Sequence, residues 1–192
     1  MKPAVFLDKD GTLLDDVPYN VDPDKMRLAH GAADALALFA RMDVPIVVIS
    51  NQSGVALGKF DEAALRHVEH KLHELAAEAG ARLSGVYWCP HHPQGTVARY
   101  ARVCDCRKPA PGMIQRAAHE LGIDLRRSSF VGDILDDIEA GHRAGCRAVL
   151  IDNGNETLWQ RGPLREPDAI AKDMREAARI IDRAWHATEI AT

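Results

Sequence analysis

Short apolar runs that stop abruptly at polar side chains constrain the fold of this chain more than any other feature. Five runs are rich in β-branched or aromatic residues and lack polar alternation, at residues 4–7, 45–50, 85–89, 129–133 and 147–151. Strands of a parallel sheet show this pattern, because helices cover both faces of the sheet. The runs therefore predict the strands of a parallel sheet.

Amphipathic segments separate these runs and predict helices. The longest covers residues 61–79, with Asp61 as its predicted N-cap and Gly80 just after its end. Further helices are predicted at residues 32–42, 111–121, 136–144 and after Asp173, with an edge strand near residues 168–171. The alternation predicts an α/β fold, a Rossmann-like, doubly wound and mostly parallel sheet with helices on both faces. A length of 192 residues predicts one domain, residues 1–192.

Charge and hydropathy exclude two classes of partner. The formal net charge of −4 offers no basic surface for a nucleic acid backbone. No apolar run approaches the roughly 20 residues that span a bilayer, and the N-terminal residues lack the pattern of a signal peptide. We therefore expect a cytoplasmic protein without a membrane partner. In a reducing compartment, clustered cysteines such as Cys89, Cys104 and Cys106 indicate metal binding more than disulfides.

Acidic and hydroxyl side chains stand where predicted strands end. Asp8 and Asp10 follow the first run two residues apart, and Ser50 and Asp133 end later runs. The carboxyl ends of parallel strands meet at one edge, which is where such sheets bind ligands. Neighbouring carboxylates repel unless a cation lies between them, and Mg²⁺ prefers such hard oxygen ligands. The pattern predicts phosphate ester chemistry, in which one aspartate attacks phosphorus and another moves the proton.

A long irregular stretch predicts a second metal site. Residues 89–107 read CPHHPQGTVARYARVCDCR, which places a cysteine–histidine pair before a C-x-C pair. Four thiolate and imidazole donors suit tetrahedral Zn²⁺ in a structural role, although chemistry does not decide between His91 and His92. The loop leads directly into Arg107 and Lys108. A zinc ion there would hold these cations for an anionic substrate.

Four segments, LDKDGTL, SNQSG, CRKP and VGDILDD, resemble the motifs of the haloacid dehalogenase superfamily of aspartate-nucleophile phosphatases. The resemblance implies that Asp8 is the nucleophile and Asp10 the general acid and base. It implies that Ser50 and Lys108 bind the phosphoryl group, and that Mg²⁺ is held by Asp8, Asp133 and the backbone carbonyl of Asp10. No segment is long enough for the large cap domain of some relatives, so an open site and a monomer are expected.

The zinc loop resembles that of a branch that includes the heptose bisphosphate phosphatases. This implies removal of the 7-phosphate of a heptose 1,7-bisphosphate through an aspartyl-phosphate, in lipopolysaccharide core biosynthesis, with His91 as the zinc ligand. It also implies substrate contacts at Asp16, Tyr19, Ser50, Asn51, Gln52, Ser53, Arg107 and Lys108. Histidinol phosphate is the alternative substrate, and a non-catalytic zinc-stabilised binding module is the alternative function. Ile134 replaces a basic residue usual in this branch, which leaves the sugar open.

Overall fold

Six parallel strands form one sheet, in the order β3-β2-β1-β4-β5-β6. This computed structural model describes residues 1–190, with side chains through residue 187. The strands are β1 (Val5–Leu7), β2 (Ile46–Asn51), β3 (Leu83–Cys89), β4 (Ser129–Gly132), β5 (Arg147–Ile151) and β6 (Ala169–Ala171). All five neighbouring pairs are parallel, as predicted.

Five helices cover both faces of the sheet, which confirms the doubly wound prediction. They are α1 (Ala32–Arg41), α2 (Leu65–Glu78), α3 (Gly112–Leu121), α4 (Leu135–Ala144) and α5 (Met174–Ile190). Successive residues of a strand point to opposite faces. Val5 and Leu7 accordingly pack in the cluster that contains residues of α1, α2 and α5, while Phe6 packs with residues of α3 and α4. Two apolar layers therefore fix the central strand.

Element boundaries differ from the predicted ones where local geometry intervenes. A short 3₁₀ turn, Glu62–Ala64, precedes α2, and the side chain of Asp61 makes no capping hydrogen bond. The strand β3 begins at Leu83 instead of residue 85 and exposes some of its residues, because it lies at an edge of the sheet. Asp173 caps α5 as predicted, accepting a hydrogen bond of 2.8 Å from the backbone N–H of Glu176.

The register brings the carboxyl ends of the central strands level with one another. Leu7 of β1 pairs with Val48 of β2 and with Val131 of β4. Asp8 directly follows Leu7, and its backbone N–H donates to the carbonyl of Val131 over 2.9 Å. The loops after three neighbouring strands therefore meet around Asp8. Within residues 1–190, no helix has both the length and the apolar character needed to cross a membrane.

We expect replacement of Phe39 by alanine to lower the free energy of unfolding by about 3–5 kcal/mol. Phe39 is fully buried where α1 packs in the larger core cluster, and the smaller side chain would leave a cavity there. Urea denaturation measures the change. Arg41→Ala, an exposed change on the same helix, should shift the value by less than about 0.5 kcal/mol. Equal shifts for the two variants would contradict the packing described for α1.

Candidate active site

One buried lysine joins three parts of the sheet edge. Lys108 is 4% exposed, and its ammonium contacts the carboxylate of Asp8 as well as that of Asp137, the latter at 2.6 Å. The same ammonium donates to the carbonyl oxygen of Ile49 over 3.3 Å. Lys108 therefore connects the end of β1, the end of β2 and the first turn of α4.

Burial and charge shift the acid–base properties of this pair. Burial alone would lower the pKa of Lys108, but the carboxylates of Asp137 and Asp8 raise it above its ordinary value. Burial also raises the pKa of Asp8 well above its ordinary value, which the Lys108 ammonium only partly offsets. Lys108 is thus a permanent cation, and Asp8 is a carboxylate whose negative charge needs further positive charge nearby.

Asp133 is a second buried carboxylate with a donor on each oxygen. The hydroxyl of Thr12 donates to Oδ1 over 3.1 Å, and the amide of Asn155 donates to Oδ2 over 2.7 Å. Burial and the charge of Asp137 raise the pKa of Asp133 to about 6, against the effect of these two donors. The two hydrogen bonds hold the carboxylate of Asp133 in one orientation.

Three of these acids form a group that fits a divalent cation. Asp8, Asp133 and Asp137 are all buried, and one oxygen from each lies within 4.8 Å of the others. Asp137 lies in the first turn of α4 and caps its start, since its Oδ2 accepts from the backbone N–H groups of Asp133 and Ile134 at 3.2 and 3.3 Å. Buried carboxylates with one cationic partner suit Mg²⁺, which takes one or two carboxylates and leaves ligand positions for phosphate.

Asp10 lies beside this group, in a network of its own. Its carboxylate is about a third exposed and pairs with the ammonium of Lys9. The side-chain amide of Gln52 donates to Asp10 Oδ2 over 3.1 Å and to the hydroxyl oxygen of Ser50 over 2.9 Å. Gln52 thereby links the predicted acid–base residue to the predicted phosphoryl-binding serine. The side chain of Asp10 is accessible, which a proton donor to a leaving group requires.

Both the nitrogen and the oxygen of the Asn51 side-chain amide form hydrogen bonds with the backbone of Lys108. Its Nδ2 donates to the Lys108 carbonyl over 3.2 Å, and its Oδ1 accepts from the Lys108 N–H over 3.0 Å. We predicted a substrate contact for Asn51, which stays a prediction; in the structure its amide positions Lys108. The end of β2 therefore contributes two consecutive residues to the site. Ser50 accepts a hydrogen bond from Gln52, and Asn51 positions Lys108.

The predicted zinc ligands come together in the loop after β3. The donor atoms of Cys89, His91, Cys104 and Cys106 all lie within 4.8 Å of one another. Individual separations run from 3.2 Å between the sulfurs of Cys106 and Cys104 to 3.7 Å between Cys89 Sγ and His91 Nδ1. Tetrahedral zinc with bonds near 2.3 Å places its sulfur ligands roughly 3.8 Å apart. The donor set fits Zn²⁺, whereas His92 accepts a hydrogen bond from Gln94 in a turn.

The same loop positions Arg107. The Arg107 backbone N–H donates to the sulfur of Cys104 over 3.3 Å, and its guanidinium donates to the carbonyl of His91 over 3.3 Å. Across residues 90–107 only Tyr100 is buried, and its small apolar cluster includes Val97 but not Arg107. The thiol and imidazole group is therefore the internal support for the position of Arg107.

The remaining predicted substrate residues are more exposed than the buried acids. Asp16 is exposed and lines a cavity of about 320 Å³ beside Gly11 and Thr12. Tyr19 is 51% exposed, adopts a left-handed backbone with φ 55°, and has the ammonium of Lys59 at 5.8 Å from its ring centre. Ser53 is half-buried beside Gln52. Of these residues, Asp16 shares a cavity with Gly11 and Thr12 of the loop that carries the site.

Three site residues escaped sequence analysis. Thr12 and Asn155 bind Asp133, and the side-chain amide of Asn153 donates to the carbonyl of Gly11 over 2.8 Å. Thr12 lies inside the first motif, so its position could have indicated a role. Asn153 and Asn155 belong to a polar loop after β5 that carries no motif. Polar residues directly after a strand on this edge were the available signal.

Known proteins share both the sequence and the fold. Residues 105–177 match the HAD-hydrolase-like family. The chain is 40% identical over 185 residues to D-glycero-β-D-manno-heptose-1,7-bisphosphate 7-phosphatase of Escherichia coli K12, covering 91% of this chain and 97% of the relative.

Solved structures agree with this assignment. D,D-heptose 1,7-bisphosphate phosphatase from B. bronchiseptica, complexed with magnesium and phosphate, superposes with a TM-score of 0.80 at 34% identity, covering 96% of this chain and 99% of that chain. A HAD-like phosphatase from Mesorhizobium loti gives a TM-score of 0.82 at 34% identity, covering 96% and 87%. This chain therefore belongs to the D-glycero-β-D-manno-heptose-1,7-bisphosphate 7-phosphatase family of haloacid-dehalogenase-like hydrolases.

Proposed function

We propose that this protein removes the 7-phosphate of D-glycero-D-manno-heptose 1,7-bisphosphate through an aspartyl-phosphate intermediate. The buried group of Asp8, Lys108 and Asp133 at the sheet edge carries this proposal, because it combines a nucleophile with the charges that a phosphoryl group needs. The names of the relatives supply the sugar. The product would feed the synthesis of lipopolysaccharide heptose.

Each side chain has a step that its position allows. Asp8 attacks phosphorus, and the bond to the sugar oxygen breaks as the new bond forms. Asp10 gives its proton to that oxygen and then takes one from the water that hydrolyses the aspartyl-phosphate. Lys108 and the hydroxyl of Ser50 bind the phosphoryl oxygens, and Lys108 supplies a fixed positive charge to them.

Two metal ions complete the proposal. Asp8, Asp133 and the backbone carbonyl of Asp10 would hold Mg²⁺, and the ion would supply positive charge to the phosphate. The relative from B. bronchiseptica was crystallised with magnesium and phosphate. Cys89, His91, Cys104 and Cys106 would hold Zn²⁺ in a structural role, because all four positions are filled by protein ligands.

The substrate would be recognised by exposed side chains and by the zinc loop. Arg107 offers a forked donor for a second phosphate or for hydroxyl groups, and the exposed side chains of Asp16 and Tyr19 would contact sugar hydroxyls. Asn51, Gln52 and Ser53, at and after the end of β2, would also contribute to substrate binding. Ile134 gives no charge near Asp133, so Arg107 carries more of the recognition.

The proposal includes one domain over residues 1–192 that acts as a monomer. Three free thiols within one metal-binding group suit a reducing compartment such as the cytoplasm. Sedimentation measures the oligomeric state.

We expect the purified protein with Mg²⁺ to prefer heptose 1,7-bisphosphate over histidinol phosphate by 100-fold or more in kcat/KM, about 2.7 kcal/mol. The physical reason is that the bisphosphate carries a second anionic group, which Arg107 would bind. Phosphate release measures both substrates, with a chelator as the control for metal dependence. The reverse preference would overturn the sugar assignment, and absence of metal-dependent hydrolysis would favour the non-catalytic zinc-stabilised module.

A further inference from the structure

A short polar segment after β5, residues 153–156 and here called the strap, crosses the proposed magnesium site. Asn153 donates to the carbonyl of Gly11 over 2.8 Å, and Asn155 donates to Asp133 over 2.7 Å. Glu156 accepts from the backbone N–H of Leu135 over 2.8 Å, at the start of α4. The strap thus contacts the loop after β1, the carboxylate and the following helix.

The bond from Asn155 decides how Asp133 can present its oxygens. Thr12 and Asn155 donate to different oxygens of this carboxylate, which prevents its rotation and leaves a lone pair on each oxygen. Mg²⁺ demands near-ideal octahedral geometry with short bonds, so a freely rotating carboxylate binds it less well. Partners that orient a metal ligand typically change metal affinity by about 10- to 100-fold.

Gly11 provides an independent observation on this contact. It has φ +81°, and a Cβ built there would overlap the carboxylate of Asp133 and the amide of Asn155. Absence of a side chain at this position therefore leaves the space in which the amide meets the carboxylate. Asn155 itself is exposed, so its replacement leaves the core untouched.

We propose that Asn155 is a positioning residue for the catalytic magnesium ion, holding Asp133 in the orientation that binds it. This inference rests on the proposed magnesium site and adds to it a residue from outside the four motifs. Asn153 holds the strap over Gly11, and Glu156 fixes its far end. The hydrogen bonds of these two side chains go to the backbone and not to the carboxylate of Asp133.

Metal binding without substrate tests the proposal. The full-length protein is titrated with Mn²⁺, as a spectroscopic substitute for Mg²⁺, and free Mn²⁺ is measured by electron paramagnetic resonance. Asn155→Ala and the similarly sized Asn155→Leu should each weaken binding by about 10- to 100-fold. The Mg²⁺ concentration for half-maximal hydrolysis of a generic phosphate ester should rise by the same factor, with kcat at saturating Mg²⁺ close to wild type.

Leu158→Ala is the matched control, because Leu158 lies on the same loop and is 73% exposed. It should bind Mn²⁺ as the wild type does. Unchanged Mn²⁺ affinity in Asn155→Ala, or equal weakening in Leu158→Ala, would overturn the role of Asn155 and leave the proposed phosphatase intact. A wild-type protein that binds no Mn²⁺ would overturn the magnesium site and this inference together. Tight Mn²⁺ binding without hydrolysis of heptose bisphosphate would overturn only the proposed substrate.

Discussion

Asp8→Asn should abolish phosphate release while the protein stays folded. Loss of a catalytic nucleophile can lower kcat by about 10⁶-fold. Asparagine keeps the shape of aspartate but lacks the anionic oxygen that attacks phosphorus. Lys108 retains its ion pair with Asp137, so the lysine stays in place. Because burial of the Asp8 carboxylate is unfavourable, as its raised pKa indicates, the midpoint of thermal unfolding should be no lower than that of the wild type.

Two measurements separate the role of Asp8 from general damage. Rapid quenching of wild-type turnover, followed by mass spectrometry of peptides, should find a phosphoryl group on the peptide that contains Asp8, and none in Asp8→Asn. Asp136→Asn is the matched control, because Asp136 is a carboxylate on α4 that pairs with Arg165 at 2.9 Å instead of Lys108. It should keep wild-type activity. Activity of Asp8→Asn within about tenfold of the wild type would refute a nucleophilic role.

Cys106→Ser should release zinc and lower kcat/KM by about 100-fold, the usual scale for misplacing a group by about 1 Å. The sulfur of Cys106 lies 3.2 Å from each of the other two thiol sulfurs, at the centre of the donor group. Without metal, the loop that carries Arg107 has little apolar support. Lys108 keeps its own clamp from Asn51, so residual activity should persist. Elemental analysis and steady-state kinetics measure both effects.

Cys146→Ala is the matched control for thiol loss. Burial raises the pKa of the Cys146 thiol to about 12, and this cysteine lies outside the metal-binding group. The variant should keep one zinc per chain and full activity. Limited proteolysis should cut Cys106→Ser in the loop while leaving the control resistant. Full activity in zinc-free Cys106→Ser would show that the metal does not position Arg107.

The strands could be predicted from the sequence because the central ones are buried on both faces. Continuous apolar runs such as residues 4–7 are typical of strands that helices cover on each side, and β1 lies within that range. The edge strands are less well marked. β6 is short, and its Ile170 is 55% exposed. β3 alternates between buried and exposed residues. The first and last residues of these edge strands depend on which strand each one pairs with. The local sequence pattern does not carry that information.

Asp8 and Asp133 were predictable because each directly follows a strand, β1 or β4, and parallel topology brings strand ends together. Lys108 lies in the long loop after β3, and its role was implied by the resemblance of its motif. The residues that contact these motif residues were less predictable from the sequence. Asp137 could be read equally as a helix-start charge or as a metal-site residue, and the structure shows it in contact with both the helix start and Lys108. Asn155 reaches Asp133 only because a loop folds back, which no spacing in the sequence indicates.

The contacts around Asp8 link parts of the chain that are very distant in sequence. Lys108 lies 100 positions from Asp8, Asp133 lies 121 positions from Thr12, and Asn153 lies 142 positions from Gly11. Each such contact closes a long loop, whose entropy must be offset before the contact stabilises anything. Enzyme activity should therefore return after helical structure during refolding, when the last strands have joined. A nascent chain that ends before residue 133 would have no working site.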